Sequence, residues 1–289
     1  MSALAAIRGL LQAHARGEHG EAARHARRAM RRRFSFSQIV FAAAIAFLFM
    51  PIAVLVVYSF NDAAGMRWTG FSLRWYRQML ATRELWRAFG NSVAIAAASA
   101  AAATAIGTAG AIGVSWYRFK LRAYAQTISF LPMILPEIII GVSLLIFFAS
   151  VNVPLGLFTI FVAHTTFNLP FVFLMVSARL DEFDFSIIEA AQDLGAGEAQ
   201  ILLRVTVPAS MPGIVAGMLT AVTLSLEDFV ITFFVAGPGA STLPIFIHSA
   251  IMRRGRVTPV ISALSVVMIA GTIILCFALR KFLRYIAAK

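Results

Sequence analysis

Three carboxylates sit where a carboxylate is costly. The long apolar runs of the 289-residue chain hold only Glu137, Glu227 and Asp228 as acids. An ionised side chain at the centre of a bilayer costs about 2.5–3.5 kcal/mol on insertion scales, and such groups face a bundle interior or a water-filled path. No Lys or Arg lies deep in any apolar run to neutralise them. An unpaired acidic set suits a cationic solute. The 25 Phe residues offer ring faces for cation–π contact, although most must face lipid. Adjacent helical positions point about 100° apart, so Glu227 and Asp228 do not both face a pore squarely. The competing role for each acid is a protonated or hydrogen-bonded group between helices. Glu137 follows Pro136, where a helix break would free backbone carbonyls for a path. His164 and Asn168, spaced i, i+4, are expected to hydrogen bond to neighbouring helices. A lone histidine makes no metal site. No convincing nucleophile–base pair stands in the apolar runs, and no Gly-x-x-x-x-Gly-Lys-Ser/Thr phosphate loop occurs anywhere. The residues point to passage rather than to catalysis.

Six apolar stretches long enough to cross a membrane position these groups, since a span needs roughly 20 apolar residues. They are Ile39 to Tyr58, a stretch within Gly90 to Tyr117, Gln126 to Ser150, Gly156 to Ser177, Pro212 to Gly237 and Pro259 to Leu279. The second is rich in alanine and other small residues, which let helix backbones approach closely. The third and fourth are joined by a tight turn at Asn152, Val153 and Pro154. None alternates as a membrane barrel strand does. An all-α membrane protein of about six helices is therefore expected. The composition agrees: 60% of residues are hydrophobic and 13% charged, against roughly 25% charged in soluble domains.

The net charge of +12 does not imply a nucleic-acid partner. The charges fall in short segments between apolar runs, where they set topology or touch anionic lipid. With the amino terminus inside, segments 1–36, 118–124, 179–211 and 280–289 carry 17 of the 25 Lys and Arg residues. The positive-inside rule then puts both termini in the cytoplasm. Trp86 and Trp116 flank the second span as interfacial aromatics. The outer loop 61–87 holds Trp68, Trp75 and Tyr76 and suits a short amphipathic helix on the membrane. The basic segment 1–36 does the same inside or forms a simple tail. Neither a cleavable signal nor a mitochondrial transit peptide is expected: the first apolar run is a full span, and Glu18 and Glu21 interrupt a serine-poor start. Cys276 stands alone, so no internal disulfide forms. The chain reads as a basic cytoplasmic segment, 1–36, and a transmembrane domain, 37–289, with one long cytoplasmic loop, 179–211.

That loop is patterned helix, turn, helix. Ser186 and Glu189 fit a capping box at a helix start. Gly195 fits the left-handed residue that closes a helix, where any side chain would cost about 1 kcal/mol or more. A second helix is expected from about Glu198 to Val205, ended by Pro208 and Pro212. Such a hairpin suits the transmission of motion to a soluble partner.

Glu189-Ala190-Ala191, three residues, Gly195, nine residues, then Val205-Thr206-Val207-Pro208 resembles the EAA loop of binding-protein-dependent ABC importer permeases. The spacing agrees throughout. Val205, Val207 and Gly197 replace the usual Ile, Leu and Ser. Trp68-x-Gly70-x-Ser72 with Trp75-Tyr76, Leu135-Pro136-Glu137-Ile138, and His164 through Pro170 are similar to segments of polyamine permeases. So is Leu224-Ser225-Leu226-Glu227-Asp228-Phe229-Val230, where Glu227 stands for the first Asp of that pattern. The resemblance implies a type I importer permease fold. It implies ATPase coupling through Glu189, Ala190, Ala191, Gly195 and Pro208, and a cationic pathway at Asp228, Glu227 and Glu137, with Asp228 preferred because it keeps the family's residue. It further implies a second homologous permease, two ATP-binding subunits that hold the ATP and magnesium, an extracytoplasmic binding protein, and no cofactor on this chain. A stand-alone ion-coupled transporter would leave the 179–211 hairpin unexplained and calls for inverted repeats, which the sequence lacks. An intramembrane enzyme ranks last.

Overall fold

A computed structural model describes residues 36–63, 67–117, 119–254 and 259–287. The basic segment expected over 1–36 lies outside them, apart from Phe36. Twelve helices are named here in chain order. The first, α1 (Phe36–Ser59), is a compact unit by itself. It carries no charge, and its 24 residues reach about 36 Å. Pro51 sits inside it without ending it.

In the second unit, α2 (Arg74–Ala81) lies in the outer loop and is amphipathic as expected, burying Trp75 and Met79. The Trp75 indole N–H donates to Asn61 O at 2.7 Å, and Asn61 also pairs with Phe71 in an isolated bridge. The core is built from α3 (Arg83–Trp116), α6 (Leu157–Asp181) and α9 (Val207–Glu227). Ala96, Ser99, Ala100, Ala103, Gly107 and Ala111 recur every three or four residues and are buried along one face of α3. Small side chains there let α6 come close: a Cβ on Gly107 would stand 3.0 Å from Val172. On the other flank of α6, a Cβ on Gly217 of α9 would also meet Val172 at 3.0 Å. Val172, Phe173 and Val176 thus fill the seam between α3 and α9.

The third span is broken. Helix α4 (Arg122–Ile134) and α5 (Glu137–Ser150) meet at 104° across Leu135–Pro136. The residue before a proline avoids the helical region, and Leu135 is extended at ψ 138°. The fifth span, expected unbroken from Pro212 to Gly237, is broken as well. Helix α9 stops at Glu227, and α10 (Val230–Val235) begins after two residues. A second cluster packs α5, α6 and α10 around Ile140, Ala163 and Ile231. Helix α11 (Leu243–Arg254), which the sequence did not suggest, follows α10 and leads to α12 (Pro259–Ala287).

Among the described residues, four single helices are long and apolar enough to cross a membrane, and the bent α4–α5 pair makes a fifth. The expected sixth is the helix α12, whose described side chains cover only Pro259–Ile274.

The hairpin falls where expected. Helix α7 (Ser186–Asp193) is followed by α8 (Glu198–Ile201). Helix α7 starts at Ser186 as expected, but its cap differs from expectation. Ser186 is the first helical residue and not the cap. Asp184 supplies the cap, with Oδ1 accepting from Ser186 N–H at 2.9 Å. This exposed carboxyl is held below its ordinary 3.8 chiefly by that backbone bond. Gly195 has φ +79°. Ala196 N–H donates to Ala191 O, and Gly195 N–H to Gln192 O, which is the Schellman closure.

The expected stop at Pro208 does not occur. A π turn, Leu202–Thr206, joins α8 to α9 without a break, giving one helix from Glu198 to Glu227. Val207 N–H reaches back five residues to Leu202 O. This wider turn spreads the carbonyls just where Pro208 lacks an N–H and its ring would crowd the preceding turn.

Candidate functional site: a coupling hairpin and an acidic elbow

The hairpin presents its motif to the outside. Helix α7 buries no residue. Glu189, Ala190, Gly195 and Pro208 are exposed, and Ala191 is half-buried. Leu194, at the tip, is 89% exposed, and Phe185 and Ile187 stand open beside it. Behind the hairpin, a cavity of about 520 Å³ is lined by Trp116 and Tyr117 from the end of α3, by Asp181, and by Phe185, Gln192 and Glu198 of the hairpin.

The break between α9 and α10 carries the acids. Asp228 closes α9 through its N–H to Leu224 O. It then turns extended, at φ −62° and ψ 121°. Its side chain caps α10: Oδ1 accepts from Ile231 N–H at 3.3 Å, and Oδ2 from Thr232 N–H at 2.8 Å. The Thr232 hydroxyl donates to Oδ2 at 2.6 Å. The break is therefore an aspartate-capped helix start inside an apolar run.

The expectation of an unpaired acidic set needs correction here. His164 Nε2 lies 3.1 Å from Asp228 Oδ2, and both side chains are almost fully buried. Asp228 is 8% exposed and is engaged by His164, Ile231 and Thr232. Glu227 ends α9 and is exposed. The picture of two adjacent acids on one regular helix fails, because the chain leaves the helix between them. Glu137, the first residue of α5, is also exposed. It is near enough to Asp228 and Glu227 for their charges to act on it. Helices α5 and α10 touch closely beside it: a Cβ on Gly141 would meet the Phe234 ring at 2.7 Å. The three acids that the sequence singled out thus come together at one place, one turned inward and two left open. Phe229, next along the chain, packs at a tilt against His248 of α11 with ring centroids 4.6 Å apart.

His164 and Asn168 do bond between helices, as expected. Asn168 donates to Ala221 O at 3.2 Å, and both residues are buried. The partners of His164, Ser225 and Thr232, are hydroxyl residues in an apolar run and carry no local signal of this role. Only their spacing of three and four around Asp228 could have flagged them. Among the described residues, no group of three or more His, Cys, Asp or Glu could hold a metal ion.

Residues 103–289 match the family described as "Binding-protein-dependent transport system inner membrane component". The chain belongs to this family. Among relatives of the permease, the "Spermidine/putrescine transport system permease protein PotC" of Escherichia coli (strain K12) is 36% identical over 234 residues, covering 81% of this chain and 88% of that one. The "Putrescine transport system permease protein PotI" of the same strain is 40% identical over 240 residues, covering 80% and 84%. In fold, the permease resembles a chain of a bacterial alginate ABC transporter crystallised with its alginate pentasaccharide-bound periplasmic protein. The TM-score is 0.68 at 17% identity, over 87% of this chain and 94% of that one. The architecture is that of a type I ABC importer permease.

Proposed function

We propose that the permease moves spermidine or putrescine into the cytoplasm as a non-catalytic subunit. It pairs with a second, homologous permease, two ATP-binding subunits that hold ATP and magnesium, and an extracytoplasmic binding protein. Both termini are cytoplasmic, in line with the 17 basic residues on that side.

One observation carries this reading: the coupling hairpin and the acidic elbow are two ends of one helix. Glu198–Glu227 runs 30 residues without a break, about 45 Å. Helices do not compress, so a push on α7 and α8 by an ATPase reaches Glu227 as a rigid displacement. The bare Leu194 tip and the exposed Glu189 face supply a docking surface for that partner. At the far end, Glu137 and Glu227 offer two open carboxylates, and among the described residues no Lys or Arg forms an ion pair with either. Two charges set apart suit a chain-like di- or tri-cation better than a single alkali ion. The names carried by the 36–40% identical relatives point to the same solutes.

The test is uptake of labelled spermidine and putrescine in cells lacking their own polyamine importers, supplied with this chain and its partner genes. Wild type should import at least one. Glu227→Gln, an exposed change with little folding cost, should reduce uptake at unchanged protein level. Asp228→Asn should abolish it. An assembled, ATP-hydrolysing complex that imports neither polyamine would remove them as the solute.

A further inference from the structure

His164 reaches across the break in the fifth span. Its Nδ1 lies 2.6 Å from Ser225 Oγ on α9. Its Nε2 lies 2.8 Å from Thr232 Oγ1 on α10 and 3.1 Å from Asp228 Oδ2 between them. Residues 225, 228 and 232 are therefore held by one imidazole projecting from α6. Ser225 Oγ also lies 3.2 Å from Ser99 Oγ on α3, which ties the fourth element of the core into the same network. Ser99, His164, Ser225, Asp228 and Thr232 are all buried.

The geometry points to His164 as a positioning residue. It clamps α9 to α10 at a fixed angle and thereby sets where Glu227 stands in the solute path. The inference rests on the transport reading given above. It assigns His164 no contact with the solute.

The donor arithmetic supports a clamp. An imidazole carrying its proton on Nε2 leaves no group in the network without a partner. The Ser99 hydroxyl donates to Ser225 Oγ, and the Ser225 hydroxyl to Nδ1. Nε2–H donates toward Asp228 and Thr232, and the Thr232 hydroxyl donates to Asp228 Oδ2. Every donor in the chain is directed toward the one buried carboxylate. Such a network specifies a single arrangement, because a partial loss strands a buried polar group. Backbone bonds alone do not fix the elbow. Asp228, which is extended, and Phe229 separate the helices, and among the described residues the side-chain hydrogen bonds at the break are those of Asp228, Thr232 and His164. Asp228 joins its carboxylate to the start of α10 only. His164 is the residue that also grips α9.

The experiment uses the reconstituted complex with its ATPases and binding protein, comparing wild type, His164→Ala and His164→Gln. Glutamine places one amide nitrogen near the reach of Nε2 and so keeps the bond to Asp228, but it has no group to replace Nδ1 at Ser225. Polyamine moved per ATP hydrolysed should fall about tenfold in His164→Ala, the scale of one or two lost buried hydrogen bonds. It should fall nearly as far in His164→Gln, which keeps the α10 side and loses the hold on Ser225; a wild-type ratio in that variant would overturn the grip on α9. A purely structural defect lowers uptake and hydrolysis together and leaves that ratio unchanged, which would overturn the proposal. Hydrogen exchange of the Phe229–Val235 amides is measured on the same samples without solute. It should quicken about tenfold in His164→Ala; an unchanged rate also overturns the clamp. If wild type moves neither polyamine, the solute reading fails, and the exchange rates alone decide the clamp.

Discussion

The hairpin and the elbow are both breaks between helices, and they are made in opposite ways. At the hairpin, the turn is closed by backbone bonds around Gly195 at φ +79°, and a Cβ there would meet nothing within 4 Å. At the elbow, the turn is closed by side chains from three helices, and Gly237, just past the far end of the α10 that the elbow begins, has no room at all. A Cβ on Gly237 would stand 1.8 Å from Leu155 O. An exposed device has to carry its own geometry in its backbone, because nothing around it enforces a shape. A buried device borrows its geometry from its neighbours. The hairpin should therefore be sensitive to backbone propensity and indifferent to volume, and the elbow the reverse.

The largest expected effect is at Gly237. Gly237→Ala forces the α5–α6 turn and the end of α10 apart. It should lower the melting temperature of the purified complex by many degrees, as overpacking costs of about 1–3 kcal/mol or more predict. A melting temperature within a degree of wild type would break the contrast at its buried end. Next is Gly195. Gly195→Asp should leave the chain inserted yet cut binding-protein-stimulated ATP hydrolysis about tenfold or more, through left-handed strain of about 1 kcal/mol and a charge at the docking face. Gly195→Asn, which tolerates the left-handed region better, should retain more activity than Gly195→Ala despite its greater bulk. Equal loss in Asn and Ala variants would mean that volume matters at the hairpin after all.

The smallest effect concerns Asp184. Its carboxyl is held below the ordinary 3.8 by the Ser186 N–H. A depressed folded value means that the cap contributes above the unfolded value and is lost as pH falls through the folded one. Exchange of the first α7 amides should therefore be steady at neutral pH, after correction for intrinsic rates, and should quicken only below about 3.8. Asp184→Ala should show the faster exchange at all pH values. A transition above pH 5 would assign the cap to another group.

The same contrast explains what could be read from the sequence. Local signals placed the hairpin: the Glu-Ala-Ala spacing, Gly195 as a helix stop, and apolar run lengths for the spans. The bend at Pro136 was legible too, because proline acts on its own neighbour. The elbow was not. Leu224 to Val235 is an apolar run with no proline or glycine, so nothing local ends a helix there. The break exists because Asp228 finds Thr232 and His164, the latter 64 residues away. The start of α7 at Ser186 was legible but its cap was misread, since Asp184 and Ser186 are both good capping types and only the backbone path chooses between them. Pro208 was misread because a π turn is a tertiary adjustment with no signature in residue type.

That π turn has an arithmetic of its own. A π turn is what an α-helix becomes when it gains one residue. Leu203, inside it, is 66% exposed and could be lost without opening the core. Its removal would return the stretch to ordinary α turns, with the bond that now spans five residues spanning four. The extra residue is taken up within one wide turn, so the hairpin and Glu227 keep nearly the same phase across it. A hairpin transplanted from another permease with one residue fewer at this turn would still meet its motor on the same side, whereas a residue lost elsewhere along the shaft would turn it by about 100°.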